Sequence, residues 1–352
     1  MADFRTPARD HYADITNRII ASLEAGTAPW RRPWDPSKVP SGGPRNGVSG
    51  HRYRGINTLL LGMTPEMFAS GDPRWLSYKQ ATEKGWQVRK GEKATTIFFF
   101  KKVELRGDGR ADDGEETRTV PVLRSYPVFH ASQVDGIPAD VPSTITEAPW
   151  RTPESASVVV ACSGVVLREG GDRAFYSPSA DHVQMPPRVA FKSPEGWAST
   201  ILHELGHWSG HPSRLDRNLT GRFGTQAYAM EELRAELASA FIGNELGIPA
   251  GIDNHASYLS SWLDVLRKDK REIFRASADA QRIADYLLGF HPLYANAMTK
   301  ESTATDEPAP APAPIHIPIG PMPAHVRRSL GLDPKPVVVE EPAPVAVMGY
   351  RR

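Results

Sequence analysis

The sequence predicts an α+β chain: a small basic α/β domain over residues 1–137, a linker over 138–153, a second, helix-rich domain over 154–298, and a disordered Pro/Ala-rich tail over 299–352. Three observations predict this. His203-Glu204-Leu205-Gly206-His207 sets two imidazoles and a carboxylate at a spacing that has chemical meaning only on a helix. Residues 1–102 carry 17 Lys and Arg against 9 Asp and Glu, a formal +8, which leaves −7 on the remainder of a chain whose net charge is +1. Eleven of the 32 prolines fall within residues 301–352.

The first element is a helix from Asp10 to Leu23, with Ile15, Ile19, Ile20 and Leu23 at helical spacing and Gly26 as its stop. Pro29-Trp30-Arg31-Arg32-Pro33-Trp34 suits no regular element and reads as a loop. The same mixture of cations and rings returns at Arg52-Tyr53-Arg54 with Asn57, at Arg74-Trp75 with Lys79, and at Arg89-Lys90 with Lys93. Single-stranded nucleic acid asks for this combination, since phosphates need Lys and Arg while unpaired bases stack on aromatic faces. Duplex DNA needs the charge but not the rings. Singly, each aromatic suits a core position better. Together with the charge excess they mark Trp30, Arg31, Arg32, Trp34, Arg52, Tyr53, Arg54, Asn57, Arg74, Trp75, Lys79, Arg89, Lys90 and Lys93 as the DNA-binding set. Thr95 to Val103 reads as a strand, and a second run spans Val120 to Leu123 and Tyr126 to Phe129. Gly107 to Glu116 between them is a polar hairpin tip.

Pro138 to Pro153 is proline-spaced and marks the linker. Beyond it, Val158-Val159-Val160 is a candidate buried strand, and Asp181 to Met185 alternates like an edge strand stopped by Pro186-Pro187. Such an edge could pair with an extended peptide, and His182 lies on it, although a lone histidine is usually structural. Ser193-Pro194-Glu195 then reads as N-cap, first-turn proline and first-turn acid of a helix whose apolar face is Trp197, Ile201, Leu202 and Leu205. On it His203 and His207 lie one turn apart and can share one Zn²⁺, while Glu204 can act as general base on a water polarised by the metal. That is metallopeptidase chemistry.

A continuation His-x-x-Gly-x-x-His would supply a third histidine, but Ser213 fills that slot and His211 sits at another offset. The next helix, with Met230, Leu233, Leu237 and Phe241 apolar and Gly247 as its stop, offers Glu232 and Glu236 on one face. Glu232 is favoured as the third ligand, with Glu236 orienting a ligand histidine through its free ring nitrogen. Tyr228, one turn before Glu232, is a candidate oxyanion donor. Two histidines and a carboxylate also accept Mn²⁺. Tyr258 to Leu266 and Ile273 to Leu288 read as helices packed behind.

One cysteine, Cys162, excludes an internal disulfide framework and suits a cytoplasmic protein. The first thirty residues have no apolar core of a signal peptide, and Ala156 to Leu167, the most apolar stretch, is too short to span a bilayer. The tail, with Pro308, Pro310, Pro312 and Pro314 alternating with alanine, cannot bury a core.

With these residues in view, the chain resembles the ArdC antirestriction proteins of plasmids, which are related to the N-terminal part of conjugative primases. In the first domain the resemblance rests on Gly55-Ile56-Asn57, Arg74-Trp75-Leu76, Val88-Arg89-Lys90-Gly91-Glu92-Lys93 and Tyr126-Pro127-Val128-Phe129. In the second it rests on Tyr176-Ser177-Pro178, Leu202-His203-Glu204-Leu205-Gly206-His207 and Glu231-Glu232-Leu233-Arg234-Ala235-Glu236-Leu237. It covers roughly residues 8–295. It implies a single-stranded-DNA-binding domain joined to a zincin-like metallopeptidase domain, here of gluzincin type, that protects incoming plasmid DNA from host restriction during conjugation. His203, Glu204 and His207 match the family's metal positions, while Glu232 rests on spacing. The protein substrate is not implied, though a host restriction component is a candidate. Two other readings stay open: a cytosolic zinc metallopeptidase whose basic domain docks an acidic protein, and a DNA-binding protein whose metal site is purely structural.

Overall fold

A computed structural model of the chain describes residues 10–26, 28, 30, 43–70, 72–105, 118–139, 154–221, 225–248 and 256–304. The first helix, α1 (His11–Glu24), is capped by the Asp10 carboxylate, which accepts the Ala13 N–H, and the chain leaves it through Gly26 at φ +77°. There follow β1 (Arg45–Asn46), α2 (Ile56–Gly62), α3 (Pro65–Ser70), β2 (Arg74–Leu76), α4 (Tyr78–Glu83), β3 (Gln87–Val88), β4 (Thr95–Leu105), β5 (Arg118–His130) and β6 (Val134–Asp135). The long hairpin expected from Thr95 onward is the centrepiece. β4 and β5 pair antiparallel from Thr95 opposite Val128 to Leu105 opposite Arg118. They join β2 and β1 in a four-stranded sheet of order β1-β2-β5-β4, while β3 and β6 form a separate pair. The expected hairpin tip at Gly107 to Glu116 and most of the expected linker lie outside the described residues.

The second half runs α5 (Glu154–Ser163), β7 (Val166–Glu169), β8 (Phe175–Ser177), β9 (His182–Met185), α6 (Pro194–Trp208), α7 (Gln226–Leu246), α8 (Ala256–Lys268), α9 (Glu272–Leu288) and α10 (Pro292–Ala304). Three expectations are corrected here. Val158 to Val160 lies in α5, not in a strand. Its buried positions, Ser155, Ala156 and Val159, recur at helical spacing, so packing against α6 overrides the strand preference of three valines. Met185 and its neighbours form not an edge but the middle strand of a sheet ordered β7-β9-β8, with β7 parallel and β8 antiparallel to β9. Alternation shows which face is buried, but it carries no record of how many neighbours a strand has. Finally, helix α10 continues through Ala304, past the expected start of the tail at 299, because no proline interrupts the chain before Pro308.

The main core draws on both halves of the chain. Ile15, Ile19 and Leu23 of α1, Leu59 and Leu60 of α2, and Phe98 of β4 are buried in one cluster with Trp197, Leu205, Leu237, Trp262 and Ile283 from the second half. Helix α1 is tied to the later helices by Glu24 with Arg267 and Asp10 with Lys270. A smaller cluster of Leu61, Met67, Trp75, Ile97 and Val128 lies within the four-stranded sheet region. Among the described residues, no helix is long and apolar enough to cross a membrane.

Candidate metal centre

Helix α6 starts as its sequence dictates, with the Ser193 hydroxyl accepting the Gly196 N–H and Pro194 in the first turn. Trp197, Ile201, Leu202 and Leu205 are buried, which turns His203 and His207 toward α7. The two helices cross closely because small residues meet there. A Cβ on Gly206 would stand 3.2 Å from Ala235 Cα and 3.3 Å from Ala235 Cβ, and the Ser239 hydroxyl donates to Ser199 O at 3.2 Å. Arg234 fixes the rotation of α7 from its other side through Glu272 at 2.8 Å and Asp279 at 2.6 Å on α9. Glu231, Glu232 and Glu236 are thereby buried against α6.

One group of donors results. His203 Nε2 and His207 Nε2 are 3.2 Å apart, His203 Nε2 lies 3.5 Å from Glu232 Oε2, and His207 Nε2 lies 3.4 Å from Glu232 Oε1. Two imidazoles and a carboxylate so placed fit a single ion, because donors on a tetrahedral ion about 2.1 Å away stand about 3.4 Å from one another. The other ring nitrogens are also engaged. His203 Nδ1 faces Glu236 Oε2 at 3.7 Å, and His207 Nδ1 faces Glu231 Oε1 at 3.3 Å. Carboxylates behind the histidines fix which ring nitrogen is left to bind metal.

Both supporting carboxylates are held in turn. Arg217, from the loop after α6, donates to Glu231 Oε1 at 2.7 Å, to Gly206 O at 2.6 Å and to Ser209 Oγ at 2.9 Å. The Trp30 indole N–H donates to Glu236 Oε1 at 3.3 Å, and its ring meets Trp262 edge to face at 5.6 Å. Sequence reasoning missed Glu231 and Arg217. The Glu231-Glu232 pair was visible, but two adjacent residues on a helix point 100° apart, and only the crossing of α6 shows that both are used.

The charges are coupled. Burial opposes the charged form of both histidines, yet the carboxylates outweigh it, so His203 is raised well above its usual value and His207 to about 9. Burial likewise opposes ionisation of Glu232 and Glu231, but the imidazoles, together with Arg217 for Glu231, hold both below the ordinary carboxylate range. Glu204 differs: burial dominates and pushes its carboxyl up, against the two histidines and a hydrogen bond from the Tyr176 backbone N–H. A carboxyl whose hold on its proton is strengthened by burial is suited to taking a proton and giving it back. Tyr228 is half-buried in the first turn of α7, one turn before Glu232, and His211 bonds Ser213 away from the cluster. His182 is buried against Phe175, a structural placement.

The expected nucleic-acid residues scatter. Trp75 is fully buried against His130, and Trp30 is buried beside Glu236, so neither offers a face to a base. Burying a large ring stabilises more than leaving it in water, and the hydrophobic core has claimed both. Arg74 is buried on Asp72, and Asn57 clamps the edge of β4 by exchanging two hydrogen bonds with the Phe98 backbone. Arg52 pairs with Glu245 of α7 and Arg54 with Asp285 of α9, while Tyr53 is half-buried against the smaller cluster. In this structure these side chains make contacts within the fold. Lys79, Arg89, Lys90 and Lys93 are exposed, with Lys79 near Glu83 and Arg89 on Glu92 and Asp135. Arg31, Arg32 and Trp34 lie outside the described residues.

Comparison with known proteins places this geometry. Residues 9–129 match the N-terminal domain of anti-restriction factor ArdC, and residues 154–279 match a zincin-like metallopeptidase. The chain is 42% identical over 325 residues to DNA primase TraC of Escherichia coli, a match that takes in 88% of this chain and 29% of the primase. The chain thus spans less than a third of that relative's length. It is 41% identical over 299 residues to the uncharacterized protein y4eC of Sinorhizobium fredii (strain NBRC 101917 / NGR234), covering 82% of this chain and 95% of that one. The metal-free crystal structure of the antirestriction protein ArdC from plasmid R388 superposes with a TM-score of 0.67 at 38% identity, over 82% of this chain and 99% of that chain. Its Mn(II)-bound structure gives 0.65 at 36% identity, over 80% and 98%.

Proposed function

We infer the activity from the family: the chain belongs to the ArdC antirestriction proteins, and we propose that it protects transferred plasmid DNA from host restriction. In this reading a single-stranded-DNA-binding region is joined to a metallopeptidase centre. The observation that carries it is the convergence of His203, His207 and Glu232 from two helices, with Glu204 buried alongside. His203, His207 and Glu232 would hold the ion, and Zn²⁺ and Mn²⁺ both suit their donor set. A divalent ion held there supplies Lewis-acid polarisation of a peptide carbonyl and of water. Glu204 takes the proton from water and returns it to the leaving amine, a role its raised affinity for protons supports. Glu231 and Glu236 keep the imidazoles oriented. Tyr228 is the candidate donor to the oxyanion. The DNA-binding reading draws its support from the +8 charge of residues 1–102 and from the exposed Lys79, Arg89, Lys90 and Lys93.

The test is survival of a plasmid conjugated into a restricting host that carries either wild type or Glu204→Gln at matched expression. The substitution keeps the metal-binding set and removes the base. Protection by wild type alone, with metal and DNA binding retained in the variant, supports proteolysis. Equal protection by both places the activity in DNA binding, and protection by neither retires the antirestriction reading.

A further inference from the structure

Burial of Trp30 and Trp75 removes the two tryptophans to which bases were expected to stack, and asks which rings of the N-terminal region remain open. Tyr78 on α4 is one, and the β4-β5 hairpin supplies a group of them. Phe99 is 48% exposed, Tyr126 44% and Phe100 57%. The register puts Ile97 opposite Tyr126 and Phe99 opposite Arg124, so Phe99, Tyr126 and Arg124 share one face of the ladder with Ile97. Ile97 and Val128 on that face are buried in the smaller core cluster, whereas Tyr126 across from Ile97 and Phe99 two residues on are exposed. The rings of Phe99 and Tyr126 meet edge to face at 5.7 Å, which fixes them as a pair of surfaces rather than as two independent side chains.

Adjacent exposed aromatics on a strand pair lose free energy to water unless something covers them. Charge selects the occupant. Arg124 is exposed directly across from Phe99 and has no acidic partner among the described residues. Neighbouring rings on an antiparallel sheet with a cation beside them are the arrangement on which unpaired bases stack while the phosphates find charge. We propose that the Phe99–Tyr126 face of the β4-β5 hairpin, with Arg124, is a stacking surface for the bases of single-stranded nucleic acid. This rests on the DNA-binding reading above and gives it a place on the molecule that the sequence pattern did not.

The experiment measures binding of a fluorescent thymidine 20-mer to the full-length chain by anisotropy at two salt concentrations. It compares wild type with Phe99→Leu, Tyr126→Leu, the pair combined, and Arg124→Gln, with thermal melts to establish that each variant folds. Leucine keeps an apolar side chain but has no ring face. Each ring substitution should weaken binding about 10-fold and the pair more than either, as expected for loss of a base–aromatic stack. Arg124→Gln should weaken binding and flatten its salt dependence by about one ion's worth. Wild-type affinity in the folded double variant, with the wild type itself binding well, overturns the stacking surface and leaves the DNA-binding reading standing. Failure of wild type to bind the oligonucleotide overturns both.

Discussion

Replacing Trp30 by phenylalanine should weaken metal binding at a centre to which Trp30 contributes no ligand. The substitution keeps a ring that can pack against Trp262, now 5.6 Å from the indole, though a smaller one, and removes the N–H that donates to Glu236 Oε1 at 3.3 Å. Glu236 in turn faces His203 Nδ1 at 3.7 Å. A hydrogen bond to a buried charged group contributes about 1.5–3 kcal/mol. Losing a partner behind a metal-ligating histidine costs about 10–100-fold in metal affinity. Trp30 stands one step farther out than such a partner, so the lower end applies: a loss of about 10-fold, or about 1.4 kcal/mol. Titration of metal-free protein with Mn²⁺, followed calorimetrically, reads this directly, and Glu236→Gln sets the scale. If Trp30→Phe binds as tightly as wild type while Glu236→Gln loses affinity, Trp30 is only a packing residue and the chain of support from the N-terminal segment to His203 is refuted.

Gly206→Ala should lower both melting temperature and metal affinity, since its Cβ would meet Ala235 Cα at 3.2 Å and force α6 from α7. Overpacking of this kind costs about 1–3 kcal/mol, and a variant that melts and binds like wild type would show that the crossing is slack. Arg217→Met frees the Glu231 carboxylate and removes a hydrogen bond to Gly206 O. Metal affinity should fall by about 10-fold, and an unchanged value would remove Arg217 from the centre. The pH dependence follows from the coupled charges. His207 rises from 6.5 to about 9, so its contribution to the metal-free fold is complete below pH 6.5 and is lost as pH climbs through about 9. Glu232 is depressed below 4.5, so its contribution is present above that pH and is lost on acidification. Metal-free protein should therefore melt at progressively lower temperature between pH 6.5 and 9, while metal affinity rises over the same window as the imidazoles lose their protons. A flat melting profile across that window would contradict the raised value.

Most of the geometry of the candidate metal centre could be read from the chain because its elements are local. The spacing of His203 and His207, the Ser193 cap and the run from Met230 to Gly247 are each written within a single helix, where a period of 3.6 residues translates order into geometry. The β4-β5 hairpin was legible for the same reason, its two strands alternating or running apolar beside turn residues. The surroundings of the cations and rings expected to meet nucleic acid were not. Interleaved cations and rings have the same composition whether they face solvent or knit two halves of a fold together, and here Arg52 and Arg54 reach α7 and α9 while Trp75 fills a core.

The sequence by itself determined which residue types stand one helical turn apart, and so the donor set this chain offers at His203, Glu204 and His207. Only tertiary structure decided which residues from elsewhere complete that chemistry. Glu232 and Glu231 both turn toward α6, Arg217 folds back from a loop, and Trp30 arrives from 206 positions away in sequence to hold Glu236. Tertiary structure also decided which rings stay wet: Trp75 is enclosed, while Phe99 and Tyr126 lie just past the end of a buried face. The physical reason is the same in both cases. Hydrogen-bonding and hydrophobic side chains carry their preferences in the sequence, but their partners are supplied by the approach of segments that no local period records.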